Sequence, residues 1–168
     1  MREMSCSDDR VEEVKESIHG TTLLELQEWL RGVGQAAYRG TQVMDWVYRF
    51  GSQGFEVMSN LPQALREALA RRFAFDALEP VRVQGAEDST RKYLFRLGDG
   101  MLIESVLIPA SPALYGEGSD RRTLCVSTQV GCAYGCRFCA SGLDGWSRNL
   151  SAGEIVGQVR VLAQETGL

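Results

Sequence analysis

Three thiols within a few residues, Cys132-Ala-Tyr-Gly-Cys136-Arg-Phe-Cys139, restrict this chain more than any other feature. They stand between an alternating apolar run, Thr123 to Val130, and a helix start at Ser151-Ala-Gly-Glu154. Gly131 and Gly135 allow sharp backbone turns there, so the thiols belong to a loop bent around a compact object. Thiolate is a soft ligand, which makes zinc or an iron-sulfur cluster the leading occupants. A structural zinc site closes four ligands, usually from two separated knuckles. The sole histidine, His19, is distant in sequence and reads as a surface residue, so zinc would have to recruit Cys125 from the preceding strand. Three thiolates can instead hold a four-iron cubane and leave one iron open, as a catalytic metal requires. The spacing favours the cluster, and a non-catalytic RNA-contacting module with a four-cysteine zinc knuckle is the competing reading.

The rest of the composition agrees with thiol chemistry rather than a disulfide framework. With 168 residues, 44% apolar side chains and 24% charged, the chain has the balance of a globular protein of one domain, or of one small domain and part of another. It has no long apolar span, and its N-terminus lacks the apolar core of a signal peptide. A cytoplasmic location with no membrane contact is expected, where thiols bind metal or do chemistry more often than they pair. Cys6, alone in a polar leader, reads as a bystander. A net charge of −4 argues against a generic phosphate-binding surface. The cations are nevertheless almost all arginine, the residue suited to bidentate phosphate contacts, with Lys15 and Lys92 the two exceptions.

Periodicity divides the chain into a leader (1–20), a helical accessory domain (21–77), a strand-rich connection ending in a loop (78–122) and the start of a second domain (123–168). Thr22-Leu-Leu-Glu25 reads as a capping box opening a helix that ends near Gly32 and Gly34, with Leu23, Leu26, Trp29 and Leu30 on one face. Thr41 to Phe50 repeats the pattern with Val43, Trp46, Val47 and Phe50. Asn60-Leu-Pro62-Gln63 predicts a third helix to about Phe73, with Asn60 as its cap and Leu65, Leu69 and Phe73 buried. Val81–Val83, Arg91–Leu97 and Leu102–Ile108 alternate as strands, and Gly98-Asp99-Gly100 supplies a tight hairpin. Thr123–Val130 predicts one further strand. The Ser151–Glu154 capping box then opens a helix burying Ile155, Val159 and Leu162 and stopping at Gly167. Strand, loop and helix in that order read as one unit of a parallel sheet, which needs neighbours on both faces. The fold class expected is therefore α/β, with a larger domain of which this is the first unit.

Cys132-x3-Cys136-x2-Cys139, with Phe138 before the third cysteine, resembles the signature of the radical S-adenosylmethionine superfamily. The flanking segments narrow it. Thr123-Leu-Cys-Val-Ser-Thr-Gln-Val-Gly-Cys132, Cys136-Arg-Phe-Cys139-Ala-Ser-Gly and Arg148-Asn-Leu-Ser-Ala-Gly-Glu-Ile-Val-Gly-Gln-Val159 resemble the RlmN family of dual-specificity RNA adenine-C2 methyltransferases. Ile103-Glu-Ser-Val-Leu-Ile-Pro109, Tyr38-Arg-Gly-Thr-Gln-Val-Met-Asp-Trp46 and Asn60-Leu-Pro62 carry the likeness further, to roughly residues 20–168. The segment from Ala110 to Arg121 is longer than is usual in that family.

The resemblance implies an incomplete radical S-adenosylmethionine barrel, partial and TIM-like, behind a small helical and hairpin accessory domain. It implies that Cys132, Cys136 and Cys139 hold a [4Fe-4S] cluster whose open iron binds S-adenosylmethionine, the source of a 5'-deoxyadenosyl radical. Glu104 then corresponds to the proton acceptor for carbon 2 of adenine, and Cys125 to the partner of a transient disulfide with a methyl-carrying cysteine. On the residues alone, Glu104 is an exposed-face strand residue and Cys125 a small strand residue sharing a face with Ser127 and Gln129. The methyl-carrying cysteine lies far towards the C-terminus in the family, and no cysteine here corresponds to it, so an N-terminal fragment inactive alone is expected. The implied partners are 23S rRNA, tRNA and a one-electron donor such as flavodoxin. Arg39, Arg66, Arg71 and Arg72 are possible phosphate contacts, though each reads first as a solvated helix residue. The related adenine-C8 subgroup shares the cluster motif.

Overall fold

Thr22 starts the first helix in the way its sequence requires. Its hydroxyl accepts from the Glu25 backbone N–H and the Glu25 carboxylate accepts from the Thr22 N–H, so two free donors of the first turn are satisfied reciprocally. The computed structural model describes residues 15–76, 78–86, 89–110 and 121–167. Within these, helix α1 spans Leu23–Gly32, α2 spans Tyr38–Met44 and runs on into a wider π turn at Asp45–Arg49, and α3 spans Gln63–Arg72. Cys6, most of the leader and the breaker-rich loop after Ala110 lie outside the described residues.

The three helices close over one apolar cluster. Leu26, Leu30, Val43, Val47, Leu65 and Leu69 are buried there with Met58 and Phe73. Each fully buried leucine contributes about 1.5–3 kcal/mol relative to leaving it in water. Several expected positions differ. Leu23 is partly exposed, and Phe50 is exposed because the π turn advances the helix by less angle per residue and carries it off the buried stripe. Phe50 instead packs on Trp46 at 5.1 Å between ring centroids. Asn60 does not cap α3: Pro62 occupies the cap position, and the Asn60 side chain accepts from Trp46 Nε1 at 2.7 Å. Residues at the N-terminal edge also join this unit. A short strand β1 (Glu16–Ser17) pairs in parallel with β2 (Phe73–Ala74), and Ile18 is fully buried.

The chain then becomes an antiparallel meander. Strands β3 (Glu79–Gln84), β4 (Arg91–Arg96), β5 (Leu102–Pro109) and β6 (Arg122–Cys125) lie side by side in sequence order. Gly100, at φ 83°, makes the β4–β5 turn, where the Leu97 N–H reaches the Met101 carbonyl at 2.8 Å. A bulge separates Pro80 from Arg82 on the edge strand β3. One face of the meander is apolar: Tyr93, Phe95, Ile103 and Leu107 pack with Leu78, Val130, Leu150 and Leu162.

Two features depart from the sequence expectation. Thr123–Val130 is not one strand, since β6 ends at Cys125 and a separate strand, β7, spans Gln129–Gly131. β7 pairs antiparallel with a strand the alternation did not reveal, β8 (Trp146–Asn149), before the final helix α4 (Ala152–Thr166) begins. β6 likewise pairs antiparallel with β5. Among the described residues the only parallel pairing is β1 with β2, so the pairing of a parallel βα unit is absent from them. α4 itself follows expectation at both ends, with a Ser151–Glu154 capping box and Gly167 in the left-handed region at φ 69°. Leu162 is buried as expected, whereas Val159 is exposed.

Candidate metal centre

The cysteine loop is the tip of the β7–β8 hairpin. Val130 and Leu150, both buried, root its stem in the core, and the Cys132 N–H closes its neck on the Gly145 carbonyl at 2.9 Å. That closure depends on glycine. Gly131 has φ 71°, and a β-carbon there would lie 2.0 Å from the Gly145 carbonyl oxygen. Gly135 (φ 58°) makes the second turn expected of the loop. Further round, the Cys139 N–H donates to the Cys136 carbonyl at 3.0 Å, and a short 3-10 turn over Ala140–Gly142 follows.

Arg148 ties this stem to the rest of the molecule. Its guanidinium donates to Asp99 in the β4–β5 turn at 2.6 and 2.9 Å and to the Glu154 carboxylate at 2.7 and 2.9 Å. Glu154 is at the same time the capping residue of α4, so one side chain joins hairpin, turn and helix start. The contact with Arg148 holds the Glu154 carboxyl below its ordinary range, and Arg148 is pushed up by Glu154 and then by Asp99. Nothing in the local sequence distinguishes Arg148 from a solvated arginine; only the fold brings its two acids together.

Cys125, Cys132, Cys136 and Cys139 are free thiols. Among the described residues no three Cys, His, Asp or Glu side chains converge in the arrangement a single metal ion needs. A cubane attaches one thiolate to each of three separate irons, so it takes sulfurs distributed around a loop rather than drawn to a point. A single loop carrying three free thiols and no histidine has the donor chemistry that such a cluster requires. Tyr134 and Phe138 on the same loop are 89% and 93% exposed.

Glu104 and Cys125 come together on the other face of the meander. In β5, Ile103, Ser105 and Leu107 point into the core, which leaves Glu104 on the opposite face with Val106. Cys125 stands directly across from Val106 and therefore on the same face as Glu104. Glu104 is exposed and accepts from Lys92 Nζ on β4 at 2.8 Å. The Ser127 hydroxyl donates to the Glu104 backbone carbonyl at 2.6 Å. The sequence marks Lys92 only as one of two lysines in an arginine-rich chain, and its pairing with Glu104 shows only in the sheet register.

Three of the four arginines proposed for phosphate are bonded to other groups of the protein itself. Arg39 donates to Gln42 and to the Asn60 carbonyl, Arg66 to the Glu56 carbonyl, and Arg72 pairs with Glu16 at 2.6 Å. Arg71 is exposed. His19 is not a surface residue. It is buried, with Nδ1 2.9 Å from Asp76 Oδ2 and Nε2 against the Arg160 guanidinium, which can only donate, an arrangement that suits the tautomer protonated on Nδ1. Burial pushes the Asp76 carboxyl up, but hydrogen bonds from His19 and Ser17 more than offset it and hold the group low. Arg160 also donates to the Ser52 carbonyl at 3.0 Å, so this cluster fastens α4 to the accessory helices. None of the described helices is long and apolar enough to cross a membrane.

Comparison with known proteins bears on both units. Residues 17–74 match the family described as ribosomal RNA large subunit methyltransferase N-terminal domain. The chain is 52% identical over 135 residues to a probable dual-specificity RNA methyltransferase RlmN of Akkermansia muciniphila, which covers 80% of this chain and 38% of that protein. It is 48% identical over 145 residues to the protein of the same description from Listeria welshimeri, covering 86% of this chain and 37% of the relative. The chain thus spans less than two fifths of the length of these relatives. Among solved structures, a radical SAM methyltransferase from Sphaerobacter thermophilus superposes with a TM-score of 0.76 at 43% identity, over 91% of this chain and 44% of that one.

Proposed function

Because this chain belongs to the RlmN methyltransferase family, we propose that it supplies the accessory domain and cluster loop of a cytoplasmic radical S-adenosylmethionine enzyme. The substrate we assign is adenosine in 23S rRNA and in tRNA, methylated at carbon 2. The observations that carry this reading are a three-thiol loop closed at a glycine neck and, in the same chain, a sheet face that presents Glu104 and Cys125 together.

Cys132, Cys136 and Cys139 would hold the [4Fe-4S] cluster, which when bound supplies, with a donor such as flavodoxin, one-electron chemistry to S-adenosylmethionine. Glu104 takes the proton from carbon 2. Its carboxylate is free to do so because it is exposed and its partner Lys92 lies on a neighbouring strand at the surface, where an ion pair costs little to break. Lys92 holds the Glu104 carboxylate in place until the ring proton arrives. We assign to Cys125, a free and exposed thiol on the same face, the disulfide with the methyl-carrying cysteine that forms as the bond from that cysteine's sulfur to the product carbon breaks.

The test is a graft. The matching segment of the Akkermansia muciniphila relative is replaced by this chain, and RNA nucleosides are analysed in a host lacking its own adenine-C2 methyltransferase. Appearance of 2-methyladenosine supports the reading, 8-methyladenosine reassigns the regiochemistry, and neither nucleoside from a folded graft contradicts it.

A further inference from the structure

Among the described side chains of α4, Gln158 is the one that is both polar and fully buried, and its carboxamide is completely used. Oε1 accepts from the Ser105 hydroxyl at 2.7 Å and from the Ser127 N–H at 2.9 Å. Nε2 donates to the Ser127 carbonyl at 2.9 Å and to the Glu154 carbonyl at 3.2 Å. Ser127 sits in the break between β6 and β7, where the chain leaves one sheet and enters another and neither neighbour offers a ladder partner. One amide side chain therefore stands in for the missing strand, satisfying both backbone groups of Ser127 as a peptide would.

The consequences reach the proposed site from both sides. Before the break, Cys125 is held against Val106 on the face that carries Glu104. At the break, Ser127, fixed by Gln158, donates its hydroxyl to the Glu104 backbone carbonyl. After the break, Val130 enters the core and β7 leads to the neck of the cysteine loop. A polar residue at this point of an apolar helical stripe, three after Ile155 and four before Leu162, has no packing reason to be there.

We propose that Gln158 is a positioning residue that sets Cys125 and Glu104 in register with the cluster loop by holding the strand break at residues 126–128. Its catalytic meaning rests on the roles proposed above for Glu104 and Cys125, while its geometric content does not.

The experiment is hydrogen exchange and thiol labelling on the full chain. In the unaltered protein the Ser127 amide is expected to exchange as slowly as amides inside β5, although it belongs to no strand; exchange at the rate of an open loop overturns the proposal. In Gln158→Leu, exchange at 126–128 is expected to speed by about tenfold, the effect of losing buried pairing, and Cys125 to alkylate faster while Cys132, Cys136 and Cys139 keep their rates. Ser105→Ala removes one hydrogen bond of Gln158 but not its hold on Ser127, so it lowers Tm without moving Cys125. If Gln158→Leu lowers Tm with Cys125 labelling unchanged, the residue is core packing and the proposal fails. Should Gln158→Leu not fold, the Ser127 exchange rate and the Ser105→Ala comparison decide alone. Loss of methylation in a graft whose labelling pattern is normal would instead count against the assigned roles of Glu104 and Cys125.

Discussion

Gly131 and Gly145 meet backbone to backbone at the neck of the cysteine loop, so closely that no side chain fits on the first: a β-carbon on Gly131 would lie 2.0 Å from the Gly145 carbonyl oxygen. Gly131→Ala must open the neck or strain it, since the position also needs a positive φ. Iron incorporation under anaerobic reconstitution is expected to fall several-fold with far-UV circular dichroism little changed. Gly142→Ala is the control, because its β-carbon would meet neighbours only at 3.5 Å and beyond; iron binding there should survive.

Glu104→Gln separates chemistry from stability. The Lys92–Glu104 pair is exposed on both sides, and such pairs contribute about 0–1 kcal/mol. Tm should therefore shift by no more than a few degrees. In the grafted enzyme, loss of a proton acceptor is expected to slow methylation by about a hundredfold or more. Nucleoside mass spectrometry beside thermal melts checks both halves; wild-type methylation in the variant would remove Glu104 from the mechanism.

Arg148→Met tests the joint between the hairpin stem, the β4–β5 turn and the start of α4. The substitution leaves two carboxylates without their shared cation. Tm should fall by several degrees, and Asp99→Asn should lower it less, because Glu154 keeps its partner in that variant. Equal losses in the two variants would contradict the joint.

Acid sensitivity follows from the Asp76 cluster. Asp76 is held below its ordinary range in the folded chain. A carboxyl so depressed adds stability above its unfolded pKa of about 4, and the gain is lost as pH falls through the lower folded value. Tm should thus be level from neutral pH to about 5 and fall below about 4. Asp76→Asn should be less stable at pH 7 and show a shallower acid decline. A decline as steep as in the unaltered chain would place the sensitivity elsewhere.

Local signals in the sequence were dependable where a few neighbouring residues settle the structure. The capping boxes at Thr22 and Ser151, the Gly98-Asp-Gly100 turn and the Gly167 stop are all present, because each is a backbone hydrogen-bonding problem solved within a few positions. The helical cores around Leu26, Val43 and Leu65 followed from spacing in the same way. What escaped were long-range choices. Residues 123–130 alternate like one strand, and the break at Ser127 is bonded by Gln158, thirty-one positions away, which no local pattern reveals. β8 is too short and polar to announce itself, and Arg148 has meaning only beside Asp99. His19 looked like a surface group because nothing nearby in sequence shows that Asp76 and Arg160 enclose it. The cysteine loop was legible as a motif, and its glycine neck became specific only once Gly145 was seen opposite Gly131.

The central claim is that Cys132, Cys136 and Cys139 hold a four-iron cluster with one iron left open. The most direct measurement is Mössbauer and electron paramagnetic resonance spectroscopy of anaerobically reconstituted chain, with single Cys→Ala variants. The account predicts one [4Fe-4S] cluster per chain, a distinct site that responds to S-adenosylmethionine, loss of the cluster when Cys132, Cys136 or Cys139 is removed, and retention in Cys125→Ala. A colourless chain carrying one zinc that requires Cys125, or a cluster indifferent to all three substitutions, would contradict it.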